Sequence, residues 1–156
     1  MSLRARQLHQ TADGQIAELG EWLSSAGERG LSRPCPGRAW LGDGTVGAVA
    51  AHTTDNYHRI ARFVSALRDD VEQHKPLQHS EQHRASEIEL DLLLTRLSAA
   101  RDALATIELL SDEQLDSMPP AGEMKFADGE RSLEQIIASL LKHQRHQVDA
   151  VAAALS

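Results

Sequence analysis

Val46-Gly-Ala-Val-Ala-Ala-His52-Thr-Thr-Asp-Asn-Tyr57 opens the segment from which the fold is read. Carried on to about Asp70, it sets Val46, Val49, Ala50, Thr53, Tyr57, Ile60, Val64 and Leu67 along one face at helical spacing. The segment is therefore an amphipathic helix, with Thr45 as its N-cap. His52 falls on the flank of the apolar stripe, roughly 100° from its centre, beside Asn56 and Phe63.

The same periodicity recurs on either side. A first helix spans about Ser2 to Ala26, carried by Leu8, Ala12, Gln15, Leu19, Trp22 and Leu23, with Gly27 and Gly30 to stop it. Leu31 to Gly44 holds two prolines and three glycines and reads as loop. After the second helix the chain turns polar, and Val71 to Arg84, which contains Pro76, reads as an extended crossover longer than a tight antiparallel turn requires. A third helix over Ala85 to Leu110 carries Leu90, Leu93, Leu97, Ala100, Leu104 and Ile107 at heptad-like spacing, the pattern of bundle packing. Ser111 to Gln114 forms a capping box for one short turn, and Met118 to Glu130 is a second loop. Ser132 then caps a last helix bearing Leu133, Ile136, Ile137, Leu140, Leu141, Val148, Val151 and Leu155. Aromatic residues make up only 3% of the chain and β-branched runs are absent, so the expectation is an all-α domain of four long helices over residues 1–156.

A chain of 156 residues buries a core without disulfides or structural metal, so any metal here would be functional. The net charge of −7, with Lys and Arg scattered among Asp and Glu, provides no basic stripe and argues against nucleic acid as a partner. A single cysteine, Cys35, cannot form an internal disulfide, and no apolar run marks export or a membrane span. A cytoplasmic location is expected. Cys35 lies between Pro34 and Pro36 with no helix N-terminus to lower its pKa, so a buried or inert thiol is expected. No Ser-His-Asp ordering, nucleophile elbow, P-loop or dinucleotide fingerprint occurs.

The histidines carry the chemistry. On the last helix His143 lies roughly 100° from the apolar centre and Gln147 about 70°, whereas His146 is nearly opposite and faces water. His52 and His143 are thus expected to face one inter-helix groove. A flanking histidine on a bundle helix is more often a hydrogen-bonded boundary residue than a ligand, but two at matched offsets favour a shared site. A catalytic metal site needs three protein ligands and a structural one four. His79 and His83 have i, i+4 spacing but, like His74, belong to the polar crossover and read as solvated. His9 and His58 read as surface residues.

Two segments, Thr45-Val-Gly-Ala-Val-Ala-Ala-His52 and Ser132-Leu-Glu-Gln-Ile-Ile-Ala-Ser-Leu-Leu-Lys-His143-Gln-Arg-His-Gln147, resemble the ligand-bearing helices of the DinB/YfiT-like superfamily of metalloenzymes. That superfamily includes thiol-dependent S-transferases and the amino-terminal domain of mycothiol-dependent maleylpyruvate isomerase. The resemblance covers nearly the whole chain. It implies a single four-helix bundle in up-down-down-up order, with helices two and three parallel and joined by the long crossover. It also implies His52 and His143 as ligands of a divalent metal, nickel or zinc. Gln147 stands where the family's H-x-x-x-H motif has its second histidine, and an amide oxygen is a poorer donor than imidazole to either metal. Two functions follow. One is a metal-dependent enzyme acting on a small-molecule substrate, a transferase of a low-molecular-weight thiol or a thiol-dependent isomerase. The retained histidines at the other two positions favour the enzyme; the alternative is a metal-poor protein that binds a small apolar ligand or acts as an oligomeric scaffold. The resemblance, together with apolar stripes of modest strength, implies a homodimer.

Overall fold

A computed structural model describes residues 1–69 and 82–156, and among them the regular elements are all helices, without strands. Four helices are long: α1 (Leu3–Gly30), α2 (Val46–Arg68), α3 (Leu90–Leu104) and α5 (Leu133–Leu155). The short α4 (Asp112–Asp116) precedes the last of them. None of these helices is long and apolar enough to cross a membrane.

Local signals set the helix ends as the sequence predicts. Thr45 Oγ1 accepts from Ala48 N at 3.2 Å. Ser111 and Ser132 each build a full capping box, with Gln114 and Gln135 returning the bond to the cap backbone. Two expectations need correction. α1 extends past Ala26 to Gly30, because Gly27 takes φ 70° and kinks the helix without ending it. The third helix is also shorter than the Ala85 to Leu110 predicted. It begins at Leu90 after a separate 3₁₀ turn over Ala85–Glu87, and another 3₁₀ stretch, Ala105–Leu109, follows it. The cause at its start is a tether: Ala85 N donates to Asp43 Oδ2 at 2.9 Å, and after the 3₁₀ turn Ile88 and Glu89 are extended before Leu90 N donates to Glu28 Oε2 at 3.2 Å. Most of the predicted crossover, with His74 and His79, lies outside the described residues.

α1 packs on α3 and α5, and α2 packs on the same two helices, while α1 and α2 barely meet. Paired residues give the relative directions. Arg4 bonds Glu134, Gln15 bonds the Leu141 carbonyl and Arg145 bonds Glu18, so α1 and α5 run the same way. Asp13 bonds Arg101 and Glu28 bonds Leu90 N, so α1 and α3 run oppositely. Gly47 lies beside Ile88 and Asp55 meets Arg96, so α2 and α3 are parallel. The core between them includes Leu19, Leu23, Tyr57, Ile60, Phe63, Leu104, Ile136 and Ile137, all essentially without solvent contact. Each such large side chain contributes roughly 1.5–3 kcal/mol by leaving water.

A polar layer crosses this core. Tyr57 Oη donates to Gln15 Oε1 at 2.7 Å, and Gln15 Nε2 donates to the Leu141 carbonyl at 3.0 Å, tying α2 to α1 and α1 to α5. Burial pushes the Tyr57 phenol well above its ordinary value, so it remains a neutral donor. Gln144 Nε2 donates to the Thr53 carbonyl at 2.8 Å and closes α5 onto α2. That last bond fixes the rotation of both helices at the residues next to His52 and His143.

Candidate functional site at the seam of α2 and α5

His52 and His143 both sit half-buried on this seam, one residue away from the Thr53–Gln144 bond on their respective helices. A charge on His143 opposes a charge on His52. Burial is the main force holding both imidazoles below their ordinary pKa of 6.5, so both are neutral at pH 7. The lesser influences differ. Around His52, the Asp55 carboxylate favours protonation while Arg59, His143 and His83 oppose it. Around His143, Lys125, His146 and Arg38 all oppose it.

The α2 side is internally neutralised. Asp55 Oδ2 lies 2.7 Å from His83 Nε2 and its Oδ1 lies 2.8 Å from Arg96 Nη1. His83 is thereby packed against α2 and is no solvated loop residue, contrary to the expectation for the crossover. A close backbone approach holds it there. Asp43 N donates to the His83 carbonyl, and a Cβ on Gly42, whose φ is 56°, would stand 2.0 Å from that oxygen. Asn56 lies one turn beyond His52, and its Nδ2 is 3.1 Å from His52 Nε2. The amide donates to the imidazole lone pair, which fixes the Nδ1–H tautomer.

On the α5 side, Gln147 is 1% exposed and its Oε1 accepts from Arg38 Nε at 2.6 Å. Arg38 comes from the loop between α1 and α2. The bonds Cys35 N to the Gly44 carbonyl and Val46 N to the Arg33 carbonyl, both 2.8 Å, pin that loop to the start of α2. Arg38 Nη1 also donates to the Gly37 carbonyl at 2.9 Å. His143 and Gln147 are one helical turn apart on the same edge, so the guanidinium lies a turn from the imidazole. His146 is exposed, as its helical phase predicts.

Two donors of the expected metal set are therefore engaged: the His52 lone pair with Asn56, and the Gln147 oxygen with Arg38. A guanidinium beside Gln147 and Lys125 near His143 also oppose a divalent cation. Among the described residues no three His, Cys, Asp or Glu side chains converge to hold a metal. The residues in this arrangement do not fit a tightly held nickel or zinc ion.

The remaining candidates are structural. His58 Nε2 lies 2.9 Å from the Arg96 carbonyl, and His9 Nδ1 lies 2.9 Å from Glu108 Oε1 without a hydrogen bond between them. Both are half-buried contacts between helices, where surface positions were expected. Cys35 is buried, and burial pushes its thiol pKa up, which suits an inert thiol.

Sequence reasoning missed Arg38, Asp55, His83 and Lys125 as members of the site. Asp55 was accessible, because i, i+3 spacing from His52 puts its carboxylate beside the imidazole. Arg38 and Lys125 lie in loops without periodicity, and nothing local marks them. No family model, curated protein or solved structure matches the chain.

Proposed function

We propose that the chain is a DinB-like four-helix bundle in up-down-down-up order, and that it binds a small molecule at the α2/α5 seam without a resident metal. The paired contacts support the helix order: α1 parallel to α5, antiparallel to α3, and α2 parallel to α3. The observation that carries the metal-poor reading is the part-buried bond from Arg38 to Gln147, which places a permanent cation at the third-ligand position. The neutral imidazoles of His52 and His143 serve as hydrogen-bonding groups for the ligand. A cytoplasmic homodimer goes with this reading; exposed Leu92 on α3 and Leu109 just after it are apolar surface that a second copy would cover.

The enzyme reading, a divalent-metal-dependent thiol S-transferase or thiol-dependent isomerase, draws support from the same two imidazoles, since a neutral histidine is the form that ligates metal. It requires Arg38 to leave Gln147 and Asn56 to release His52. Elemental analysis of protein purified without an affinity tag, followed by nickel and zinc titration calorimetry, separates the two. The expected result is no stoichiometric metal and weak binding. Stoichiometric metal that is lost in both His52→Ala and His143→Ala would overturn the metal-poor reading.

A further inference from the structure

We infer that this seam binds the carboxylate of a small organic acid, with the Arg38 guanidinium as its fixed cation and Lys125 as a second. The inference rests on the metal-poor reading above and names its ligand class. Acidic residues outnumber basic ones in this chain, 23 to 16, so arginines have carboxylates to spare. Arg4, Arg68, Arg96, Arg101, Arg131 and Arg145 each face at least one. Arg38 differs. Its two bonds go to neutral oxygens, the Gln147 amide and the Gly37 carbonyl, which orient the guanidinium without cancelling its charge. Nη2 is left without a bond among the described residues. A planar guanidinium held in this way is preorganised for a carboxylate, where charge-assisted bonds are about twice as strong as neutral ones.

Lys125 brings a second cation from the opposite loop. Its Nζ lies 5.3 Å from the centroid of the Phe126 ring, and Phe126 has φ 72°. A bulky residue with positive φ is strained, and such strain collects at ligand-holding segments. Gly122 N donates to the Ala127 carbonyl and Ala127 N to the Met124 carbonyl, so the turn that bears Lys125 is closed on itself. Lys125 is also the charge that acts most strongly on His143. Arg38, held on Gln147, and Lys125 together bring positive charge to the α5 side of the seam. A divalent metal would add repulsion there, whereas an organic anion would remove it, with His143 available to hydrogen-bond its second oxygen.

The test titrates the full-length chain with benzoate and with benzamide, its neutral analogue, and follows backbone amides by ¹H–¹⁵N correlation spectra. Benzoate is expected to shift the amides around Arg38, Lys125, His143 and Gln147, and benzamide to leave them unmoved. Arg38→Gln is expected to weaken benzoate by about tenfold or more and Lys125→Gln by less, as loss of charge-assisted bonds predicts. Lys125→Gln lies on an exposed loop and keeps the test open if Arg38→Gln fails to fold. Equal shifts from both probes would overturn the carboxylate inference and leave the small-molecule reading standing. No response to benzoate, or unchanged benzoate affinity in both variants, would overturn the inference as well. The metal-poor reading fails only through the metal titration described above.

Discussion

Gln144 and Gln147 stand on the same side of α5, both 1% exposed, and they do different work. Gln144 is tied to backbone: its Nε2 meets the Thr53 carbonyl, while its Oε1 is buried without a partner. Gln147 is tied to a side chain from a loop, and that side chain is a cation. Equal burial thus conceals unequal roles. The first amide fastens two helices, and the second stations a charge. What decides the role is the partner, since a backbone carbonyl cannot move or respond to a ligand and an arginine can do both.

The sharpest way to break this contrast is to make one substitution at both positions. In Gln144→Glu a carboxylate oxygen would replace Nε2 opposite the Thr53 carbonyl, setting acceptor against acceptor in a site with no cation bonded to it. The expected loss is about 3 kcal/mol or more in urea unfolding at pH 7, the usual cost of a buried unpaired charge. In Gln147→Glu the new carboxylate would meet Arg38 Nε, and stability should stay within about 1 kcal/mol of wild type because the pair is charge-assisted. Equal losses at the two sites would show that Arg38 does not hold Gln147 in solution.

A second change reads metal affinity. Gln147→His removes the acceptor that holds Arg38 and supplies a third imidazole on the edge of His143. Nickel affinity is expected to rise by about tenfold or more in titration calorimetry, given the better donor. His146→Ala should change nothing, because His146 points to water. If His146→Ala abolished binding while Gln147→His left it unchanged, the facing edge of α5 would be the wrong one.

The pH dependence is a smaller effect and sharpens the difference between the two sides of the seam. Both histidines are held below 6.5 by burial, so as pH falls below about 6.5 the unfolded chain binds more protons than the folded one. Folded stability is therefore full above that pH and declines as pH drops toward the folded values. His52→Asn and His143→Gln should each flatten this decline in urea midpoints measured between about pH 7.5 and 5. A decline of unchanged slope in both variants would assign it to other groups. The Asp55 carboxylate opposes the shift at His52 alone, so the contribution from His143 should persist in Asp55→Asn while that from His52 grows.

Helix positions, caps, the half-burial of His52 and His143 and the exposure of His146 are legible in the sequence because periodicity and capping are local properties. Val46, Thr53 and Tyr57 are buried where the apolar stripe puts them, and Ser111, Ser132 and Thr45 cap where their spacing predicts. The start of the third helix is not legible, because the tether from Ala85 to Asp43 joins residues 42 apart. The partner of Gln147 is hidden for the same reason. Its arginine is 109 residues away in a proline- and glycine-rich loop, where no repeat fixes which side chain turns inward. The sequence identifies the position at which a ligand would change character but not the residue that takes advantage of it.

The smallest expected effect tests whether Gln144 is purely a fastener. Its Nε2 bond to Thr53 contributes about 1 kcal/mol, as a neutral hydrogen bond does, while the orphaned Oε1 costs a similar amount through lost hydration. The two offset each other. The Thr53 carbonyl is a helix acceptor within α2, so it is not stranded if the amide is removed. Gln144→Leu is close in volume, adds apolar contact beside Leu140, Leu141 and Val148, and should leave stability within about 1 kcal/mol of wild type. Its benzoate response should also be unchanged, because neither Arg38 nor Lys125 touches this amide. A loss well beyond that range would mean that Oε1 has a partner in solution, with a buried water the natural occupant, and the fastener would then belong to a hydrated layer between α2 and α5.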